Sequence, residues 1–434
     1  MAALSSFRNR CSLLGACTLI VALATGQAQA APGSLDPSFS SDGRASVDFG
    51  TTYAGAEAIA IGQDGSILVV GGVDQGGPDE QLAMARFTAS GEPDATFGGG
   101  DGAEVFPYIA YGNGVALQED GKIIVVTADE VSPGNSNWVV ARFDPAGLPD
   151  ASFGGGDGIV TTDFGLELAA AGDVAVQPDG NIVVAGFKRV MGDPLRIVVA
   201  RYMTDGSLDP GFGVGGTTTT RIGLSAGASS IALAPNGKIV VAGAAQLRDQ
   251  KDFCVARFRS DGTLDVRFGG DGKVTTNMGG SVDRASDVAI RQDGRIVVVG
   301  QASGTATKSP DFGIVRYLPR GVLDRTFSGD GKVRTDFKGE EDWAGGVAIQ
   351  GNGKIVVGGY AYNKGWPDFA LARYRVDGRL DLSFGRLGLR RTDFAGRDDF
   401  ANDVVLQADG RIVAAGQVHG SSGYEAGVAR YLRA

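Results

Sequence analysis

Asp173-Val174-Ala175-Val176-Gln177-Pro178-Asp179-Gly180-Asn181-Ile182-Val183-Val184-Ala185-Gly186, residues 173–186, sets two apolar runs on either side of a turn. Asp-Gly between apolar runs is the strongest short-range hairpin signal, because a two-residue turn of this kind wants positive φ at both central positions. Two further short runs flank the hairpin, at 159–164 and 197–202. The unit therefore reads as four antiparallel strands: A (159–164), B (173–177), C (181–186) and D (197–202).

That unit recurs along the chain. Asp-Gly or Asn-Gly followed by an aliphatic run has its glycine at Gly65, Gly121, Gly180, Gly237, Gly294, Gly353 and Gly410. Arg followed by Phe or Tyr begins at Arg86, Arg142, Arg201, Arg257, Arg316, Arg373 and Arg430, and Leu/Pro-Asp-x-x-Phe ends at Phe39, Phe97, Phe153, Phe212, Phe268, Phe327 and Phe384. Successive copies lie 56 to 59 residues apart. Four strands repeated at this period, with no helical periodicity and no crossover long enough for a helix, specify an all-β, seven-bladed propeller of four-stranded antiparallel blades. Glycine numbers 70 of 434 residues, about twice the usual share, as many tight turns require. A single core of some 400 residues would exceed the size at which compact cores stop growing, and a ring of small blades avoids that limit.

Composition orders the strands within a blade. The B strands are rich in alanine and glycine, as at Ala56-Glu57-Ala58-Ile59-Ala60, and suit a narrow central channel. The A strands are polar and threonine-rich, as at Thr217-Thr218-Thr219-Thr220-Arg221, which suits an outer edge where pairing groups need blunting. Each blade is thus B, C, D and the A strand of the next repeat. The first A strand, 44–49, is left over and is expected to close the ring against the last D strand, 427–432.

Residues 1–30 read as a signal peptide, with Arg8 and Arg10 before an apolar run and Ala28-Gln29-Ala30 as the cleavage site. A short segment at 31–34 and one propeller domain at 35–434 follow, destined for the periplasm or the exterior. No later stretch is long and apolar enough for a spanning helix. Removing Arg8 and Arg10 takes the charged residues from 40 basic and 50 acidic to 38 and 50, a net charge of −12, which repels phosphate backbones and argues against nucleic acid as a partner. Cys11 and Cys17 leave with the signal, so Cys254 has no intramolecular disulfide partner and reads as a buried, inert thiol.

The phrases Asp293-Gly294-Arg295-Ile296-Val297-Val298, Val315-Arg316-Tyr317 and Leu264-Asp265-x-x-Phe268-Gly269-Gly270-Asp271-Gly272 resemble the delta-60 repeat, a bacterial propeller-type repeat of exported and surface proteins. The resemblance covers nearly all of the chain after the signal. It implies the same architecture and no particular activity.

Residues present in every copy serve what every copy shares. The aspartates of the Leu/Pro-Asp-x-x-Phe phrases and the arginines of the D strands are expected to form structural ion pairs. The Gly-Gly-Asp-Gly loops lack the alternating carboxylates of a calcium loop and read as turns. Gly223-Leu224-Ser225-Ala226-Gly227 matches a nucleophile elbow, but the lone histidine, His419, is far along the chain and no helix follows. Gly211-Phe212-Gly213-Val214-Gly215-Gly216 matches a dinucleotide fingerprint without its helix. One histidine and one remaining cysteine exclude the usual zinc ligand sets. The sequence thus offers no catalytic residue, no metal site and no cofactor.

Strand direction places the B-to-C turns and D-to-A loops on one uniform face, and the C-to-D loops and A-to-B crossovers on a variable one. Tyr360, Tyr362, Trp366, Trp343, Tyr108, Tyr111, His419 and Tyr424 gather at the variable face, beside Glu340, Glu341, Asp342, Asp398 and Asp399. Aromatic residues among polar loops on a rigid scaffold are what binding faces use. Trp138 also falls beside this face; it sits in the slot of Phe253 and Phe312, as Trp343 aligns with Phe400, so plain packing is the competing reading for both. The resulting expectation is a monomeric exported scaffold that binds a protein or glycan. The alternatives are a carboxylate-dependent polysaccharide hydrolase or lyase, and a structural envelope protein.

Overall fold

Seven four-stranded antiparallel sheets make up the computed structural model, which describes residues 31–74, 76, 80–132, 135–165, 167–190, 192–304, 309–338, 340–420 and 423–433. The proposed signal at 1–30 lies outside the described residues. Blade 3 shows the plan: Glu167–Val176 innermost, then Ile182–Val190, Arg196–Tyr202 and, outermost, Thr217–Thr220 from the following repeat. The inner strands, Tyr53–Ile61, Gly112–Leu117, Glu167–Val176, Ser225–Leu233, Asp283–Ile290, Asp342–Ile349 and Asp399–Leu406, each touch the next, and the seventh touches the first. The ring is closed by the leftover strand Arg44–Val47, which pairs antiparallel with Tyr424–Tyr431, Arg44 opposite Ala429 and Val47 opposite Ala426. The strand stops two residues earlier than expected because Phe49 turns inward to pack with Ala54 and Val73.

The last blade is assembled from both parts of the chain. In six blades an unbroken loop joins the D strand to the Asp of the next phrase, and its glycine covers the phenylalanine of the blade before, as Gly378 covers Phe327. In blade 7 residues 31–35 fill this place: Gly33 lies on Phe384, its N–H donates to Leu432 O (2.9 Å), and Leu432 N–H donates to Ser34 O (2.9 Å).

The hairpins correct one detail. Only the glycine of each Asp/Asn-Gly pair has positive φ, between 74° and 84°. Gln118 N–H to Lys122 O (2.9 Å) and Gly121 N–H to Gln118 O (2.9 Å) close a three-residue loop rather than a two-residue one. The Asp or Asn side chain accepts from the backbone two residues on, as Asp64 does from Ser66 (2.9 Å), which is why that residue type recurs without needing positive φ.

The seven-copy ion pair is present in full. Arg316 Nε donates to Asp324 Oδ2 at 2.9 Å, its guanidinium lies 4.5 Å from the Phe327 ring centroid, and Nη1 donates to Val376 O of the next blade. The same three-part contact ties Arg430 to Asp36, Phe39 and Ala89 across the ring closure. Each arginine therefore joins a turn within its own blade to the neighbouring blade. Arg373 is the exception: its Nη1 is buried without a hydrogen-bond partner among the described residues, at the blade followed by the divided loop.

The outer-strand threonines are not only edge decoration. Thr162, Thr276, Thr335 and Thr392 are buried and hydrogen-bond the hydroxyls of Tyr202, Tyr317, Tyr374 and Tyr431 in the following blade, at 2.6 to 2.9 Å. The choice of Tyr over Phe in those Arg-Tyr phrases is an inter-blade contact. Cys254 is fully buried and burial pushes its thiol up to about 12, as an inert packing thiol should behave.

Around the axis each inner strand carries a bulge, and the residue after it is Asp173, Asp287 or Asp403 in blades 3, 5 and 7. Each carboxylate accepts an N–H from the next blade, from Ile231 (2.9 Å), Val347 (2.7 Å) and Ile59 (3.2 Å) respectively. Burial and then mutual repulsion push Asp173 up to about 7, and both raise Asp403, while burial raises Asp287. The folded ring thus holds protons that an unfolded chain, with carboxyls near 3.9, has released. Its stability falls as pH rises from about 4 through about 7, by up to about 1.4 kcal/mol per pH unit for each retained proton. In a Tm series from pH 4.5 to 8, Asp173→Asn should flatten this decline, and an unchanged slope would contradict the reading.

Candidate binding face

The variable face is built where inner strands begin and C-to-D hairpins end. In blade 6, Trp343 on the inner strand is the register partner of Tyr360 on the next, and the two rings stack 6.5 Å apart at 9°. Tyr360 also meets Tyr362 edge-on at 6.2 Å and Phe400 of blade 7 at 4.9 Å. Edge and stacked arrangements of this kind hold aromatic side chains in fixed positions. Burial, then the charge of Glu341, holds the Tyr360 hydroxyl protonated far above its ordinary range, and burial with Glu341, Asp398 and Glu340 raises Tyr362.

A second group continues the arc over blades 7 and 1. The Tyr424 hydroxyl donates to Asp398 Oδ2 (3.0 Å), and its ring meets His419 at 5.2 Å and Tyr53 at 6.1 Å. His419 Nδ1 lies 2.9 Å from Gly420 O and Nε2 lies 3.4 Å from Arg397 Nη1. With Nδ1 donating to that carbonyl, Nε2 is left to accept from Arg397. Tyr53 is pushed up to about 12 by burial and the charges of Glu80 and Glu57. Glu57, the bulge residue of blade 1, is hydrogen-bonded by Tyr111 and accepts from Asn402 Nδ2 at 2.9 Å, so Tyr111 sits at the mouth of the axial space.

Trp343, Tyr360, Tyr362, His419, Tyr424 and Tyr111 thus fall along one arc over blades 6, 7, 1 and 2. Trp366 is half-exposed at the tip of the blade 6 hairpin, opposite Asn363. Tyr108 is exposed on the outermost strand of blade 1 against Phe106, away from the inner-strand ends that carry the arc. Trp138 is fully buried, paired with Thr162 as Phe253 is with Thr276, in keeping with a core role. Tyr53, Phe400, Arg397 and Glu57 were not singled out by sequence. Tyr53 opens the inner strand of blade 1 and Glu57 is its bulge residue, and Phe400 matches Trp343 in register and so carries a usable signal.

The crossovers of three blades are fastened by one device. Asp283, Asp342 and Asp399 open the inner strands of blades 5, 6 and 7 and accept the N–H of Met278, Phe337 and Phe394, each at 2.7 Å. Each carboxylate caps the loop five residues before it and fixes the aromatic residue that follows in blades 6 and 7.

Among known families, the domain of unknown function (DUF5122) beta-propeller matches seven segments, 62–97, 118–153, 177–212, 234–268, 291–327, 350–384 and 407–433. The chain belongs to the DUF5122 β-propeller family. Each matched segment but the last runs from the B-to-C turn of a blade to the phenylalanine under its arginine; the matches take in Tyr360, Tyr362, Trp366, His419 and Tyr424, while Trp343 and Tyr111 lie in the crossovers between them. No curated protein matches the sequence of this DUF5122 propeller. Among solved structures it is similar to a protein of unknown function from Dyadobacter fermentans at 12% identity, covering 90% of this chain and 98% of that one with a TM-score of 0.47. The polysaccharide lyase Uly1 is similar at 12% identity, 87% and 90% coverage and a TM-score of 0.48. Sqt1 of Chaetomium thermophilum is similar at 12% identity, 89% and 83% coverage and a TM-score of 0.44.

Proposed function

We propose that this propeller is an exported binding scaffold, related to the delta-60 repeats, that engages a protein or glycan through the aromatic arc of blades 6, 7 and 1. The observation that carries this reading is the break in sevenfold symmetry. Every blade repeats the arginine–aspartate pair of the uniform face, while Trp343, Tyr360, Tyr362, His419 and Tyr424 occur once, packed against one another and edged by Glu341 and Asp398. Stacked aromatic residues with carboxylates beside them suit sugar rings and apolar or basic side chains, and they disfavour polyanions. The purified protein, screened against glycans, cell-wall polymers and envelope proteins, should bind one ligand saturably. Trp343→Ala and Tyr362→Ala should each weaken that binding about 10- to 100-fold, the range of a central interface aromatic, with folding unchanged by circular dichroism. Retained affinity in both variants would remove the arc from the site.

A second reading has one observation in its favour. Asp398, His419, Tyr424 and Arg397 converge where the crossover from blade 6 enters blade 7, a set able to hold and pass a proton. Tyr424 is held protonated by burial and by Asp398, which fits it as an acid rather than a base. Product release from a polysaccharide, abolished by His419→Ala, would favour an enzyme. Export is part of the proposal and predicts a secreted form beginning at Ala31.

A further inference from the structure

One polar triad occurs at three consecutive blade junctions. It comprises the first residues of a D strand (Asp252, Asp311, Asp368), the residue after the outermost strand (Asn277, Asp336, Asp393) and the crossover cap (Asp283, Asp342, Asp399). Between blades 4 and 5 the middle member is neutral, and Asn277 Nδ2 donates to Asp252 Oδ1 at 3.0 Å. In the other two, three carboxylates each bring an oxygen within 4.8 Å of the others. At the blade 6 to 7 junction the cap is satisfied, since Asp399 accepts from His419 N–H at 3.1 Å on its second oxygen, as Asp283 does from Ser303 N–H at 3.0 Å. At the blade 5 to 6 junction the equivalent donor, Tyr362 N–H, is turned to Glu341 O (3.0 Å), and Asp342 Oδ1 is fully buried with no hydrogen-bond partner among the described residues.

A buried carboxylate that lies beside two others and has one oxygen unpaired carries a large desolvation cost unless a cation or donor meets it. We propose that Asp311, Asp336 and Asp342 bind a hard divalent cation, calcium by preference. All-oxygen, carboxylate donors select hard cations, and calcium tolerates the irregular geometry and added waters that three ligands on three segments impose. Two guanidiniums temper the site. Arg334 holds Asp311 Oδ2 at 2.8 Å, and Arg391 spans Ala361 O (2.6 Å) and Phe337 O (3.1 Å). With two guanidiniums beside it, the site belongs with the weak extracellular class, on the order of 10⁻⁴–10⁻³ M. The ion would fasten the crossover that ends at Trp343, and so set the first ring of the aromatic arc. The inference stands on the triad alone and does not depend on what the arc binds.

The test is thermal unfolding and titration calorimetry of the purified, chelator-treated protein with calcium chloride or magnesium chloride. At about 10 mM calcium the Tm should be about 2 °C higher, rising with the logarithm of concentration, and the calorimetric isotherm should saturate. Asp342→Asn keeps an oxygen for Phe337 N–H, and Asp336→Asn changes an exposed position; both should lose the calcium response, while Asp399→Asn at the satisfied junction should keep it. No saturable response in the unmodified protein would overturn the proposal, and so would an equal response in Asp342→Asn and Asp336→Asn. If Asp342→Asn fails to fold, the outcome for Asp336→Asn decides.

Discussion

Deleting residues 35–50 should abolish cooperative folding of the ring. Three separate losses coincide. The strand Arg44–Val47 leaves the edge of Tyr424–Tyr431 unpaired, Asp36 leaves the buried Arg430 without its carboxylate, and Phe39 leaves a hole in the core between blades 7 and 1. Truncating a buried phenylalanine costs about 3–5 kcal/mol, and breaking a buried ion pair costs about as much again. Their sum, about 6–10 kcal/mol, is comparable with the whole stability of an ordinary domain, about 5–15 kcal/mol. The milder Phe39→Ala should keep the fold and lower its stability by the first of these amounts. Circular dichroism melts of both forms provide the measurement. A deletion variant that melts sharply at the original Tm would mean that Arg44–Val47 does not hold the ring.

Asp324→Ala should destabilise the protein by about 3–5 kcal/mol. This carboxylate is 1% exposed and is shared by Arg316 and Arg295, each at 2.9 Å, so its removal strands one buried guanidinium and releases another. Against burial, which raises it, the hydrogen bonds from Thr326 and then the two cations hold it down at about 2. The stabilisation is therefore present above the unfolded value near 3.9 and is lost as pH falls towards 2, opposite in sign to the axial carboxylates. Asp94→Ala should cost less, because the Arg86–Asp94 pair is 15% exposed on each side and Ser66 stands where five of the other six copies have a second cation. Urea midpoints for the two variants test the ranking. Equal costs would show that burial does not govern these pairs.

The architecture was legible because its signals are local and occur seven times. Gly180 and its six counterparts mark hairpins, and alanine and glycine in the inner strands against threonine in the outer ones give the order within a blade, including the leftover strand. The two-residue turn was misread because Asp-Gly serves two hairpin types, and only the φ of Asp179 tells them apart. The role of Thr276 was hidden for a different reason: its partner, Tyr317, is 41 residues away in the next blade. The aromatic arc was legible as composition but not as contact. Trp343 and Tyr360 could be placed on one face, whereas Tyr53 joins Tyr424 only through ring closure, and Trp366 and Tyr108 differ from the rest in exposure, which periodicity does not reveal. Asp342 and Asp399 look alike in sequence; the turn of a single N–H, that of Tyr362, separates them.

The divided last blade has a consequence for synthesis. Blades 1 to 6 collect their strands from nearby sequence and can form in order as the chain emerges, whereas Arg44 must wait for Ala429. Until then Arg44–Val47 is an open edge, and an open edge accepts any matching strand. During crowded refolding, the strand that completes one ring can complete a neighbour's instead, so exchanged pairs of chains are the natural by-product of this design.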